Sequence, residues 1–204
     1  MTLAVLVAIL LLVGTPHAGR LSGWWIFPAL ELALLVVIAV RDPGRIDDRS
    51  RTVRRLTIGL IAVMTVGTLA AVVVLVHDIL VTVPGVSGVT LLARGGAVWF
   101  TNVIVFSLWY WELDRGGPAE RAAGSGVPLS FAFPENAMPA FVASDWQPRY
   151  PDYLYLAFTN ATAFSPTDTM PVRTWAKMTM LLQAAISLVT GILVIARAIN
   201  DLPG

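Results

Sequence analysis

The chain contains no cysteine. That excludes disulfides, thiolate metal sites and cysteine nucleophiles. It has two histidines, His17 and His77, and among fourteen basic residues Lys177 is the single lysine. Charge is scarce as well: 13% of the residues are charged, about half the share of an ordinary soluble domain. The net charge of +1 points to no acidic or nucleic-acid partner. What remains is apolar, 56% of the 204 residues, with a mean hydropathy of +0.73. Such a chain is expected in a lipid bilayer. Its wealth of Arg, Ala, Val, Gly and Pro fits a GC-rich bacterial genome.

Five apolar segments stand out, at 2–14, 24–40, 56–76, 90–111 and 172–196, each bounded by Gly, Pro or charge. Backbone polar groups in lipid must be paired internally, so each is expected to be a helix. Barrel strands would alternate over about 10 residues, and no such alternation is present. The first segment is short against the roughly 20 residues of a crossing. Without a basic n-region or an A-x-A site it reads as a first membrane helix rather than a signal peptide. The loop 41–55, "RDPGRIDDRSRTVRR", holds six Arg against three Asp. Short basic loops stay in the cytoplasm. Placing this one inside also puts Arg115, Arg121, Arg149, Arg173 and Lys177 inside, against Arg20, Arg94 and Arg197 outside. The expected location is a bacterial inner membrane, multi-pass, with the N-terminus inside. "WW" at 24–25 and "WYW" at 109–111 would mark the interfaces. The stretch 112–151 is Gly-, Pro- and Ala-rich and reads as a loop. Its Phe131, Phe133, Phe141 and Trp146 suggest packing on the membrane surface or on the bundle.

Between two membrane-length runs lies "DYLYLAFTNATAFSPTDTMP" (152–171). Its first 13 residues are too few to cross and too apolar for a solvated loop, which suggests a re-entrant or interfacial helix. A short helix, a polar turn and a long crossing helix is the layout of a pore loop. The string "YLYLAFTNATAFSPTDTMPVRTWAKMTMLLQAAISLVTGILVIARAI" resembles the pore helix, filter and inner helix of the potassium-channel superfamily, and the fourth segment would be the outer helix. The resemblance covers about 50 residues well and about 110 loosely. It implies a constriction at Thr159, Asn160, Thr162, Ser165, Thr167 and Asp168. Thr162 would take the place of the filter threonine, Asp168 that of the aspartate after the filter and Pro171 that of the mouth proline. The family's filter glycines are replaced by Ser165, Pro166 and Thr167. Proline has a fixed φ and no N–H, so a filter of standard geometry cannot form, and the family's loop enters from the opposite side of the membrane. The chain is also similar to multi-pass bacterial membrane proteins with the same "FTNATAFSPTDT" signature, a likeness that implies architecture and no activity.

Several positions carry two readings. Ser165, Pro166 and Asp168 could cap the N-terminus of the last helix, as N-cap, first-turn proline and capping-box acid. Capping is the favoured reading, with ion contact as the alternative. Thr179, Gln183, Ser187 and Thr190 share one face of that helix and could either pack against other helices or line a pore. Asn102, with Thr101 and Ser107, gives the fourth helix polar positions that could meet this stripe. Glu31 is the one carboxylate well inside an apolar run. It could bridge to an arginine or bind a proton or cation. His77, Asp78, Arg94 and Arg197 approach the same side. "GVSG" (85–88) reads as a turn rather than as protease chemistry, because no histidine follows Ser87.

The expected fold is an all-α integral membrane protein of five transmembrane helices plus a re-entrant pore-like half-helix before the last. It divides into a three-helix region, 1–88, and a pore-domain-like unit, 89–204. The expected function is that of an ion-channel-like protein, with a membrane scaffold or accessory subunit as the alternative. It would not be an enzyme and would carry no cofactor, metal or nucleic acid. Its partners would be the lipid bilayer and copies of itself, a tetramer passing monovalent ions if it is a channel.

Overall fold

A computed structural model describes residues 1–14, 25–41, 51–81, 87–138, 140, 143, 146–163 and 168–200. The fold is all-α. Its long elements are α1 (Thr2–Gly14), α2 (Ile26–Arg41), α3 (Arg51–Val81) and α4 (Gly88–Leu113). After a cap that contains the short helices α5 (Pro118–Ala122) and α6 (Pro134–Ala137) come α7 (Tyr150–Ala163) and α8 (Thr174–Asn200). Two-residue strands β1 (Phe131–Ala132) and β2 (Met170–Pro171) pair antiparallel. Three helical stretches, Arg51–Val81, Gly88–Gly116 and Thr174–Arg197, are long and apolar enough to cross a membrane. Exposed Leu10, Val40, Val73, Leu80, Leu181, Ile192 and Ile195 give the outside an apolar cover far beyond that of a soluble monomer. This surface is compatible with a membrane location.

α4 is the central helix and packs on α1, α3, α7 and α8. Ser87 starts it by accepting the Thr90 N–H at 3.2 Å. This N-cap satisfies a donor that the helix leaves free, and it is the structural role of Ser87. One side of α4 carries Ile104, Val105 and Leu108 into a core with Val5, Ala8, Leu35, Ile38, Leu60, Ile61 and Met64 of α1–α3. The other side carries Val103, Phe106 and Tyr110 into a core with α7, α8 and the cap. The starts of α1, α3 and α7 and the ends of α2 and α4 meet around one cleft of about 1290 Å³, which defines a cap end and a far end of the bundle.

α8 runs antiparallel to α4. Close approach at the far end depends on Gly95, where a Cβ would lie 2.4 Å from Val194 Cγ2 and 2.7 Å from its Cγ1. Gly95→Ala is therefore expected to destabilise the fold by about 1–3 kcal/mol through overpacking. Val194→Ala in the same chain should restore most of that loss, since the two sites are in contact and couple. Thermal melting of the single and double variants checks this. An additive double variant would mean that the helices separate freely here.

The stretch 112–151 differs from the loop reading. The chain leaves α4 through a 3-10 turn with Arg115, Gly116 and Gly117 at φ 49°, 80° and 99°. At Gly117 a Cβ would meet the Glu112 carbonyl oxygen at 3.0 Å. The reversal lays α5 and β1 back over the bundle. Phe131 and Phe133 are buried there and pack edge-on against Tyr153, so the aromatics of this segment pack on the bundle. Phe141 lies outside the described residues.

The S-P-T-D capping reading also fails. α8 begins at Thr174, six positions after Asp168, and β2 intervenes. The backbone at 170–172 is held by the strand pair and by Val172 N–H donating to the Ser130 carbonyl at 2.9 Å. Strand pairing to the cap thus sets where the last helix starts. Ser165 and Pro166 lie outside the described residues.

Candidate functional site

The polar residues of α4, α7 and α8 converge on Gln183. It is fully buried and uses both ends of its amide. Its Oε1 accepts from the Tyr110 hydroxyl at 2.6 Å and from Asn160 Nδ2 at 2.8 Å. Its Nε2 donates to the Ala157 carbonyl at 2.8 Å. Asn160 Nδ2 also reaches the Met180 carbonyl at 3.0 Å. One turn further along α8, Ser187 Oγ accepts from Asn102 Nδ2 at 2.9 Å. A buried network of this kind fixes the relative positions of three helices, because each donor is costly to leave without its acceptor.

α7 follows α4 away from the cap end. Its first residue, Tyr150, meets Ser107 at 2.8 Å through its hydroxyl and packs on Trp111. Phe158, two turns on, packs edge-on against Trp99, which lies roughly 18 Å from Trp111 along α4. The next described residues, 168–172, are back at the cap strand.

The other candidates of this region divide. Thr159 donates to carbonyls of its own helix, Tyr155 at 3.0 Å and Leu156 at 3.1 Å. Thr162 is exposed and bonds Phe158 and Thr159 in the same way. Asp168 is exposed. Ser165 and Thr167 lie outside the described residues. In the stripe, Thr179 donates to the Trp175 carbonyl at 2.8 Å. Thr190 is buried with its hydroxyl unbonded among the described residues. The structure therefore joins Asn160 directly to Gln183, ties Gln183 and Ser187 to Tyr110 and Asn102 of α4, and leaves Thr159, Thr162 and Thr179 to bond within their own helices. Asn160 is thus a buried junction residue between α7 and α8.

A second network went unread in the sequence. Asp114, fully buried, accepts the Ser130 N–H at 2.8 Å on one oxygen and the Tyr153 hydroxyl at 2.7 Å on the other. Arg121 lies over the Trp111 ring at 4.3 Å and donates to the carbonyls of Trp111 and Asp114, each at 2.7 Å. Burial lowers the Arg121 guanidinium from its usual value, and the neighbouring Tyr153, Asp114 and Glu112 oppose that shift. Burial pushes the Tyr153 phenol up, against the opposing Arg121 charge and with Asp114 adding to it, so it remains a donor at neutral pH. These partners sit 16 and 39 positions apart in the chain, and no local spacing could have signalled them.

Among the described residues Glu31 forms no bridge to an arginine. Arg94 pairs instead with Asp78 across α3 and α4 at 3.0 Å, with His77 beside it at 3.4 Å. Phe27, one turn before Glu31, packs at Gly67, so Glu31 sits well short of Asp78 along α3.

No family model, curated protein or solved structure matches this chain. Geometry alone defines its class, that of an all-α bundle with three helices fit to cross a membrane and a buried amide junction between its fourth, seventh and eighth helices.

Proposed function

We propose that the chain is a multi-pass inner-membrane protein of five crossings, α1–α4 and α8, with α7 as a re-entrant half-helix. In this reading it is a non-conducting scaffold or accessory subunit that keeps a pore-loop-like arrangement without a filter. It carries out no catalysis of its own. The observation behind this reading is that Gln183 and Ser187, the centre of the polar stripe, bond to Tyr110, Asn102 and Asn160 of the same chain. A conducting oligomer would need that stripe on a shared axis in contact with water and ions. The descent of α7 along α4 and the return to the cap strand support the re-entrant part. α1 and α2, with 13 and 16 residues, are short for a crossing. A bilayer accommodates such helices by thinning or by snorkelling of flanking residues.

The absence of cysteine makes the test clean. With Ser187→Cys in lipid nanodiscs, a membrane-impermeant thiol reagent is expected to leave the thiol unmodified while it modifies Ser125→Cys in the exposed cap stretch. Proteoliposomes of the parent chain are expected to pass no monovalent cations above the protein-free background. Rapid modification at Ser187→Cys, with flux and a tetramer by native mass spectrometry, would reinstate the channel reading, with Thr162 and Asp168 at its mouth.

A further inference from the structure

Glu31 is the one ionisable residue of α2 before Arg41. It is 1% exposed, and neither carboxyl oxygen has a hydrogen-bond partner among the described residues. Phe27, Glu31, Leu35 and Ile38 follow the spacing of one helical face. Phe27 touches the α3 backbone at Gly67, and Leu35 and Ile38 pack with Leu60, Ile61 and Met64. Because α2 and α3 run antiparallel, Glu31 comes level with the stretch of α3 between Met64 and Gly67. It faces the interior of the bundle.

Among the described residues the surroundings hold no charge. α1 has no ionisable side chain. α3 has none between Arg55 and His77, which places its nearest charges at least about 13 Å away along the axis. α4 has no acidic or basic residue between Arg94 and Glu112. Arg94 is engaged with Asp78 at the far end, and Glu112 faces Arg54 at 3.6 Å at the cap end. A carboxylate can only accept hydrogen bonds, and among the described residues no donor reaches this one. An ionised group here would be neither solvated nor paired. A metal cation would need several oxygen ligands, yet among the described residues no group of three or more acidic or histidine side chains comes together to hold one. A proton needs none.

We propose that Glu31 is a proton-binding site. Its carboxyl stands in the α1–α4 bundle as the neutral acid and is the group there that takes up or releases a proton. The assignment holds whether or not the protein conducts ions, since it concerns the other side of α4.

The test treats the full chain in lipid nanodiscs with N,N′-dicyclohexylcarbodiimide, an apolar reagent that reacts with protonated carboxylic acids. The acid's proton goes to a carbodiimide nitrogen and the carboxyl oxygen adds to the central carbon. Peptide mass mapping is expected to find the adduct on Glu31 in mildly acid buffer and at least about tenfold less of it in alkaline buffer, as the neutral form is depleted. Glu31→Gln, which has the shape of the neutral acid, should lose the adduct and melt within a few degrees of the parent. Three results would each overturn the proposal: no adduct on Glu31 at any pH while other carboxyls react, an adduct independent of pH, or a Glu31→Gln chain that fails to fold.

Discussion

Asp114→Ala is expected to detach the cap from the bundle and to be the most damaging single change considered. The carboxylate binds the Ser130 N–H and the Tyr153 hydroxyl, and its own backbone carbonyl receives Arg121. Removing the side chain leaves two buried donors without acceptors. Hydrogen bonds to a charged group contribute about 1.5–3 kcal/mol each, so a loss of roughly 3–6 kcal/mol follows. It also removes a negative neighbour from the buried Arg121, which then depends on backbone carbonyls and on the Trp111 face. Asp114→Asn should cost less, because its carbonyl oxygen can still take the Ser130 N–H. The measurement is thermal unfolding in nanodiscs together with limited proteolysis of the exposed stretch 122–128. The alanine variant should be cut there faster than the parent and the asparagine variant should fall between. A parent-like melting curve for Asp114→Ala would show that aromatic packing of Phe131 and Phe133 holds the cap alone.

Gln183→Leu should loosen α7 from α8 at a smaller but still large cost. Leucine keeps most of the volume and removes three hydrogen bonds, those with Tyr110, Asn160 and Ala157. Side-chain hydrogen bonds between membrane helices average about 0.6 kcal/mol and reach about 1.7. The expected loss is therefore roughly 2–4 kcal/mol, or on the order of 5–15 °C in the melting temperature for a chain of this size. Tyr110→Phe removes one of the same bonds. The double variant should lose less than the sum of the singles, because both act on one network. Strict additivity in this cycle would mean that Tyr110 and Gln183 do not share a bond in the bilayer, and the case for an internally closed stripe would fall with it.

How much of this was legible in the sequence depends on the range of the forces involved. The apolar runs 2–14, 24–40, 56–76, 90–111 and 172–196 sit within or overlap α1, α2, α3, α4 and α8, because a long apolar run has only the helix as a way to pair its backbone in lipid. The ends were less legible. α3 extends to Arg51 and Val81, since a helix continues through charged residues that a hydropathy reading counts as loop. The cap was read as a loop because Gly and Pro dominate it locally. Its order comes from Phe131, Phe133 and Tyr153 meeting across distant sequence positions, which no local rule registers.

The polar stripe shows the same division at one helix. Its spacing, 179, 183, 187 and 190, is a property of the chain, and the α-helical period alone puts those residues on one face. Which way that face turns depends on what lies opposite. Asn102 on α4 and Asn160 on α7 supply donors that Ser187 and Gln183 can take up, and the missing side chain at Gly95 lets α8 come close enough to α4 for them to meet. The sequence by itself determined a helical, cysteine-free, bilayer-compatible chain with polar groups at set intervals. The tertiary structure decided that Gln183 and Ser187 bond to Tyr110, Asn160 and Asn102 of the neighbouring helices, that Asp78 rather than Glu31 pairs with Arg94, and that Glu31 has no partner among the described residues. Helical period and hydrophobicity are local properties of the chain, whereas hydrogen-bond and charge partners are chosen only when distant segments come into contact.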